Sequence, residues 1–189
     1  LPIPTHKEAI ELVLRILTND ETKVINSIDE IKAIGHRVVH GGEYFKGSVI
    51  VDDEVIRKIE ELIPLAPLHN PANIMGVKIC KDLMPKVPNV VTFDTAFHQT
   101  MPMENFLYAV PYADYTEHHL RKYGFHGTSH YYVSQEVIKL LNKKDSKVIV
   151  CHHGNGSSVC AVKDGKSIST SMGLTPLEGL VMGTRSGDI

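Results

Sequence analysis

Apolar residues recur at helical spacing in four segments of the chain. The first segment opens with a capping box, in which Thr5 is followed three residues later by Glu8. Asn70 and Pro71 are the expected cap and first-turn residues of the third helix, and Thr128 is expected to open the fourth. The apolar stripes of the first, second and fourth helices are Ile10, Leu14 and Leu17; Ile56, Ile59 and Ile63; and Val133, Val137, Leu140 and Leu141.

Strand-like segments lie between these helices. "IKAIGHRVVHGG" predicts a strand closed by two glycines, and "NVVTFD" predicts a short apolar strand that ends in an acidic residue. The alternation of strands and helices up to about Leu141 predicts a mostly parallel α/β sheet. Residues 100–123 are expected to be irregular.

From residue 147 onward the pattern is continuously β. "KVIVCHH", "SSVCAV" and "SISTSM" are separated by a Gly-Asn-Gly turn and by Asp164-Gly165, a strong hairpin signal. Such an antiparallel meander suggests the start of a second domain. In "TPLEG", Thr175 as cap and Pro176 in the first turn predict one more helix after the meander.

Composition restricts the class of protein. The 189 residues are 42 % hydrophobic and 22 % charged, as is usual for a soluble globular chain. A net charge of -2 argues against a nucleic-acid surface, and no apolar stretch approaches the roughly 20 residues of a membrane span. Cys80, Cys151 and Cys160 are widely spaced in apolar runs, which favours reduced thiols and a cytoplasmic protein. Because the chain starts at Leu1 and stops at Ile189 without a helix stop, a piece of a longer protein is expected.

The segment "VIVCHHGNGSS", residues 148–158, carries the most distinctive candidate chemistry, and three interpretations compete for it. A zinc site is disfavoured because the His36/His40 and His126/His130 pairs lack the H-E-x-x-H pattern. A Cys-His nucleophile is disfavoured because adjacent strand residues point to opposite faces, so Cys151 is interpreted as a small buried hydrophobe.

An anion-binding loop is the third interpretation of this segment. Gly154 and Gly156 allow positive φ and close approach of the backbone, and consecutive N–H groups can form a nest for phosphate oxygens. Ser157 and Ser158 add hydroxyl donors. An ordinary glycine hairpin explains the local pattern equally well.

The order of several longer motifs favours the anion loop, because they resemble the successive signature blocks of the acetokinase family from about Ile31 to Ile189. The blocks are "GHRVVHGG", "PLHNPAN", "VTFDTAFHQTMP", "YGFHGTSH", "CHHGNGSS" and "GLTPLEGLVMGTRSG". The resemblance implies an α/β, actin-like (ribonuclease-H-like) two-domain kinase fold. Residues 1–127 would be part of the N-terminal domain on the acyl-substrate side. Residues 128–189 would start the C-terminal domain with its second phosphate-binding hairpin.

The resemblance also implies a reaction, the reversible phosphorylation of acetate by ATP to acetyl phosphate, by direct in-line transfer with Mg2+ or Mn2+. The family's amino-terminal phosphate hairpin and its carboxyl-terminal adenosine site have no counterpart in this sequence, so the isolated chain is expected to be inactive. A homodimer is expected for the full-length protein. A propionate or butyrate kinase of the same family and a His-rich metallohydrolase are the alternatives.

Site residues follow from the matching motif positions. The resemblance implies that Arg37 and Arg185 contact acetate and the transferring phosphoryl group, since a guanidinium can bind either as a fork. It implies that His126 hydrogen-bonds the phosphoryl group and that Asp94 orients Mg2+ or its water, with no direct metal ligand otherwise expected in this chain. The remaining substrate positions are Val39, Leu68, Phe125 and Pro176 around the acetate methyl group, with His69 in support. The implied ATP-phosphate positions are His152, His153, Gly154, Asn155 and Gly156.

Overall fold

The computed structural model describes residues 3–143 and 145–189, in which six α-helices accompany two three-stranded sheets. The helices are α1 His6–Thr18, α2 Asp53–Glu61, α3 Asn70–Leu83, α4 Met103–Phe106, α5 Tyr112–His118 and α6 Gly127–Leu141. The strands are β1 Ile34–Val38, β2 Val49–Ile50, β3 Asn89–Phe93, β4 Lys147–His153, β5 Ser157–Lys163 and β6 Lys166–Thr170. None of the helices in these ranges is both long and apolar enough to cross a membrane.

The first sheet has the order β1-β3-β2. β1 and β3 are parallel, with Ile34 opposite Asn89 and Val38 opposite Phe93, and α2 and α3 make the crossover between them. The predicted parallel pairing is therefore confirmed, whereas the short antiparallel β2 was not predicted. The core of this part packs strand residues against the apolar faces of α2 and α3; it includes Val38, Ile59, Val77, Val91 and Phe93.

The predicted N-cap is correct for α1 and wrong for α3. α1 begins as predicted, because the Thr5 side chain accepts a hydrogen bond from the backbone N–H of Lys7 and its hydroxyl contacts the Glu8 carboxylate. Asn70, in contrast, does not cap α3: it is fully buried and binds His40, accepting from its N–H (3.2 Å) and donating to its carbonyl (3.1 Å). The prediction was wrong because a tertiary partner takes the amide, which fixes the loop after β1.

The second sheet is the predicted antiparallel meander, in the order β4-β5-β6. Asp164 and Gly165 both have positive φ, 51° and 77°, as the two-residue hairpin turn between β5 and β6 requires. The buried ring of His98, in the turn that follows β3, ties the second sheet to the loop before α6. Its Nδ1 lies 2.8 Å from Ser167 Oγ on β6, and its Nε2 lies 3.0 Å from the carbonyl of Phe125.

Three other predictions were wrong. No helix forms at "TPLEG": the Glu178 carboxylate accepts from the Leu174 N–H (3.1 Å) and from the Tyr108 hydroxyl, which holds an irregular loop. Residues 100–123 contain α4 and α5 and are not wholly irregular. Cys151 is exposed; the opposite face of β4 turns inward there, and it carries His152.

The start of α6 packs closely against the end of β3. Its buried face is formed by small and polar residues, Gly127, His130 and Ser134, whereas the predicted stripe residues Val133, Leu140 and Leu141 are exposed. The helix itself was predicted correctly, but its inward face follows from the need for close approach to β3 and β4.

Candidate active site

The first element of the site is an ion pair at the carboxyl ends of β1 and β3. These strands are parallel neighbours, so Arg37 on β1 and Asp94 just after β3 lie at the same edge. Arg37 donates from Nε to Asp94 Oδ1 (2.9 Å) and from Nη2 to Oδ2, which makes a bidentate pair. The Asp94 side chain is 2 % exposed and that of Arg37 is 59 % exposed. A buried carboxylate therefore holds a guanidinium whose outer edge faces solvent.

His126 is brought to the same edge by the start of α6. The Gly127 N–H donates to the Asp94 carbonyl (2.8 Å), and a Cβ at position 127 would lie 2.1 Å from that oxygen. Glycine is therefore required for this close approach. His126 itself has a left-handed φ of 56°, an uncommon conformation that reverses the chain just before the helix.

The environment of His126 keeps its imidazole neutral. Burial, the neighbouring His152 and the positive charges of Arg37 and Arg185 together lower the pKa of His126 to about 4. The ring stacks on His152 at a centroid distance of 4.0 Å, and Nδ1 lies 2.8 Å from Ser158 Oγ. At neutral pH His126 is therefore a hydrogen-bonding group and carries no charge.

Arg185 completes the group of predicted catalytic side chains. Its Nη1 donates to the Pro176 carbonyl, and its Nη2 would lie 2.7 Å from a Cβ built on Gly156. The same Cβ would lie 3.3 Å from Nε2 and Cε1 of His126. Arg185 and His126 therefore converge on the Gly-Asn-Gly turn between β4 and β5. Because the charges of Arg37 and Arg185 both act on His126, and Arg37 binds Asp94, the four side chains belong to one site, and the space that they border is called the cleft below.

The Gly-Asn-Gly turn differs in detail from the prediction. Neither Gly154 nor Gly156 has a positive φ, so these glycines are not needed for a left-handed backbone. Gly156 is needed because Arg185 and His126 approach it, whereas a Cβ at Gly154 would meet nothing closer than 3.6 Å. The Gly154 N–H donates to the Gly156 carbonyl (3.0 Å), and the Gly183 N–H donates to the Asn155 carbonyl (3.1 Å).

The two serines after the turn are not free hydroxyl donors for an anion. Ser158 is fully buried, and its Oγ lies 2.8 Å from Nδ1 of His126 and 2.7 Å from Nε2 of His130. Ser157 is also buried, and its hydroxyl faces the Gly154 carbonyl (3.4 Å). The serine hydroxyls are therefore not the groups with which this turn would bind phosphate. His152 turns inward to Ser129 Oγ (2.9 Å), while His153 is exposed.

An apolar cluster adjoins the ion pair. Val39 and Phe125 are buried there together with Met172 and Met182. The two methionines lie outside any periodic pattern and were not predicted. Leu68 is 87 % exposed and does not belong to this cluster, and its neighbour His69 is exposed at the N-cap of α3. The structure thus brings together two of the four predicted methyl-pocket residues, places Pro176 against Arg185, and leaves the assignments of Leu68 and His69 as predictions.

Asp94 is the candidate residue for a divalent cation. Within residues 3–143 and 145–189, no three His, Cys, Asp or Glu side chains are arranged to hold a metal ion. Asp94 is the carboxylate at the cleft, and both of its oxygens bind Arg37. Mg2+ often binds through one or two carboxylates plus substrate phosphates and waters, so Asp94 fits such a site only if ATP and water supply the other ligands.

Comparison with known proteins gives one consistent result. The model of the acetokinase family matches residues 1–189. An acetate kinase of Thermotoga petrophila is 61 % identical over 189 residues, which is 99 % of this chain and 47 % of that protein. Crystal structures of an acetate kinase from Porphyromonas gingivalis (50 % identity, TM-score 0.95) and a propionate kinase from Francisella tularensis (52 %, 0.93) each cover 100 % of this chain. This chain covers 48 % of each of those two chains and so spans about half the length of the relatives it matches.

Proposed function

Because the chain belongs to the acetokinase family, we propose that the full-length protein that carries it transfers the γ-phosphoryl group of ATP to acetate. The products are acetyl phosphate and ADP, and the reaction is reversible. The observation that carries the proposal is the convergence of Arg37, Asp94, His126 and Arg185 on one cleft.

The charge balance of the cleft suits phosphoryl transfer. The group of four side chains contains two guanidinium groups, Arg37 and Arg185, and one carboxylate, Asp94, so it carries a net positive charge beside a neutral histidine. The transferring phosphoryl group spreads negative charge over its equatorial oxygens, and preorganised positive groups stabilise that charge. Such catalysis needs position and charge from the protein and little covalent chemistry.

Arg37 is the proposed anchor for the acetate carboxylate. Acetate is ionised at neutral pH and needs no general base to act as the nucleophile. Asp94 engages Nε and Nη2 of Arg37, which fixes the guanidinium plane and leaves Nη1 directed away from the pair, with no hydrogen-bond partner among the residues described. The adjoining cluster of Val39 and Phe125 offers apolar surface for the methyl group.

Arg185, His126 and the Gly-Asn-Gly turn are the proposed contacts of the phosphates. Arg185 Nη2 and the His126 ring both border Gly156, so both can reach an oxygen that lies at the turn. The proposed ATP-phosphate positions are His152, His153, Gly154, Asn155 and Gly156, chiefly through the backbone. Mg2+ or Mn2+, when bound with ATP, would neutralise phosphate charge, and Asp94 would orient a water of its shell.

The organisation of the full-length protein is also proposed. We assign residues 1–127 to an N-terminal, acyl-binding domain and residues 128–189 to the start of a C-terminal domain. A cytoplasmic location is supported by the three free cysteines, Cys80, Cys151 and Cys160. A homodimer is tested by light scattering of the purified full-length protein.

Acyl phosphate formation by the full-length protein tests the proposal. Arg37→Ala and Arg185→Ala should each lower kcat/KM by about 10²–10³-fold, as expected for the loss of one preorganised charge contact. Lysine at either position should restore only part of the activity, because it supplies the positive charge but cannot bind as a fork. Arg57→Ala is the matched control, since Arg57 pairs with Glu54 and Glu61 on the exposed face of α2. Normal activity in either cleft variant would contradict the assignment of that arginine.

A propionate kinase is the second candidate, because one solved relative is described as such and resembles this chain as closely as the acetate kinase does. Backbone similarity therefore does not separate the two substrates. A comparison of kcat/KM for acetate, propionate and butyrate does, and acetate is expected to be preferred.

A further inference from the structure

The hydroxyl of Ser158 lies between two histidines at the floor of the cleft. Its Oγ is 2.8 Å from Nδ1 of His126 and 2.7 Å from Nε2 of His130, and both Ser158 and His130 are fully buried. His130 lies one turn after His126 on α6, so the helix holds both rings against the same serine on β5. His126 Nε2, the other nitrogen of the ring, faces Gly156 and the Arg185 guanidinium.

The number of protons restricts this chain of hydrogen bonds to two arrangements. Burial is the main reason why the pKa values of His126 and His130 fall to about 4 and about 3, so each neutral ring carries one proton. The Ser158 hydroxyl can donate only once. If both rings donated to Ser158, which can accept two hydrogen bonds, its own buried O–H would have no acceptor among the described residues. In the two remaining arrangements, either His130 donates to Ser158 and Ser158 donates to His126, or both bonds run in the opposite direction.

The surroundings of His130 distinguish the two arrangements. Its Nδ1 is buried and has no hydrogen-bond partner among the described residues. If the bonds ran from His126 towards His130, that nitrogen would carry a buried N–H without an acceptor. If the bonds run from His130 towards His126, Nδ1 of His130 carries only an unused lone pair. Among backbone groups, a buried N–H without an acceptor is rarer than a buried acceptor without a donor, so this direction is favoured. The first arrangement places the proton of His126 on Nε2.

We propose that Ser158 and His130 are positioning residues that hold the proton of His126 on Nε2, so that this N–H donates to the transferring phosphoryl group. The inference rests on the proposed function, which supplies the anion at Nε2. The positive charges of Arg37 and Arg185 disfavour an N–H at this position, and the negative oxygens of a bound phosphoryl group reverse that effect. The arrangement is therefore tested with ligand present.

The direct test is the tautomer of His126 in the full-length protein, measured by NMR of ¹⁵N-histidine-labelled samples with ADP, acetate and aluminium fluoride. Loss of one signal in His126→Gln identifies the residue. A proton on Nε2 is expected, and a proton on Nδ1 overturns the proposal. This measurement does not depend on turnover, so it remains decisive if no acyl phosphate is formed.

Kinetics of Ser158→Ala supply the second test. The variant should show a mixture of tautomers and a kcat lowered about 10–100-fold, since a transition-state hydrogen bond is weakened. The KM for acetate should change little, because the proposed acetate contact is Arg37. His130→Gln retains an N–H near the position of Nε2 and should keep more activity than His130→Leu.

Ser167→Ala is the matched control for loss of a buried serine. Ser167 is also fully buried in the meander and binds a buried histidine, His98, at 2.8 Å. Its loss should lower the melting temperature as much as Ser158→Ala does, while kcat and the His126 tautomer stay unchanged. Equal losses of kcat in the two serine variants, or an unchanged tautomer in Ser158→Ala, would overturn the positioning role.

Discussion

The two glycines of the turn between β4 and β5 allow a sharp test of where Arg185 lies. A Cβ at Gly156 would be 2.7 Å from Arg185 Nη2, whereas ordinary van der Waals contact begins at about 3.4 Å. The guanidinium must therefore retreat by about 0.7 Å in Gly156→Ala. Because Nη2 is the far end of a flexible side chain and Gly156 has no positive φ, the fold should tolerate the change.

Gly156→Ala should nevertheless reduce activity. A misplacement of about 1 Å in a group that contacts the reacting atoms can cost about 100-fold in rate. Gly156→Ala in the full-length protein should thus lower kcat by about 10–100-fold. Gly154→Ala is the matched control in the same turn, because it keeps the backbone through which Gly154 is proposed to bind phosphate, and the nearest neighbour of its Cβ would be the Gly156 carbonyl at 3.6 Å.

The assay is acetyl phosphate formation at saturating ATP and acetate, with melting temperatures measured in parallel. The expected result is a large loss of kcat in Gly156→Ala alone, with melting temperatures within a few degrees of the unchanged protein. Normal activity in both alanine variants would show that the contact between Arg185 and this turn does not contribute to catalysis. An equal loss in both would indicate that the turn acts through its flexibility, without the contact to Arg185.

Three further predictions concern the full-length protein. Asp94→Asn should remove most turnover while the protein stays folded, with little recovery in a pH–rate profile at high pH; strong recovery would instead indicate a general base. Val39→Ala should shift the ratio of kcat/KM values from acetate towards propionate, within the roughly 10–200-fold that one methylene is worth, and an unchanged ratio would remove Val39 from the pocket. Four histidines have their pKa lowered from 6.5 to about 4 or below, mainly by burial. Their contribution to the free energy of unfolding is therefore fully present above pH 6.5 and is lost as the pH falls towards 4. The loss is at most about 1.4 kcal/mol per pH unit for each histidine, and urea unfolding at pH 7.5 and 5.0 would refute it if the midpoints agreed. The four are His40, His98, His126 and His130.

The elements that could be predicted from sequence are those with a strong local pattern. The strand around Arg37, the strand that ends just before Asp94 and the turn at Asp164-Gly165 all form where the local sequence indicates. That the two strands bring Arg37 and Asp94 to one sheet edge also follows from sequence, because parallel strands connected by helices present their carboxyl ends together.

Tertiary partners decided the features that local patterns did not predict. Asn70 has the sequence of a helix cap, yet a buried loop next to it needs both a donor and an acceptor, and the amide supplies them. Ser158 has the position of an anion donor, but two histidines from α6 bury it. Leu68 is exposed, so its assignment to the acetate pocket rests on its motif position alone and stays a prediction.

The most direct measurement is a crystal structure of the full-length protein with ADP, acetate, Mg2+ and aluminium fluoride, which imitates the transferring phosphoryl group. The expected result places the fluoride ligands within hydrogen-bond distance of Arg185 and of Nε2 of His126. The acetate carboxylate should lie against Arg37, which keeps its bidentate contact with Asp94. A fluoroaluminate bound away from these side chains, or acetate bound without contact to Arg37, would contradict the proposed site.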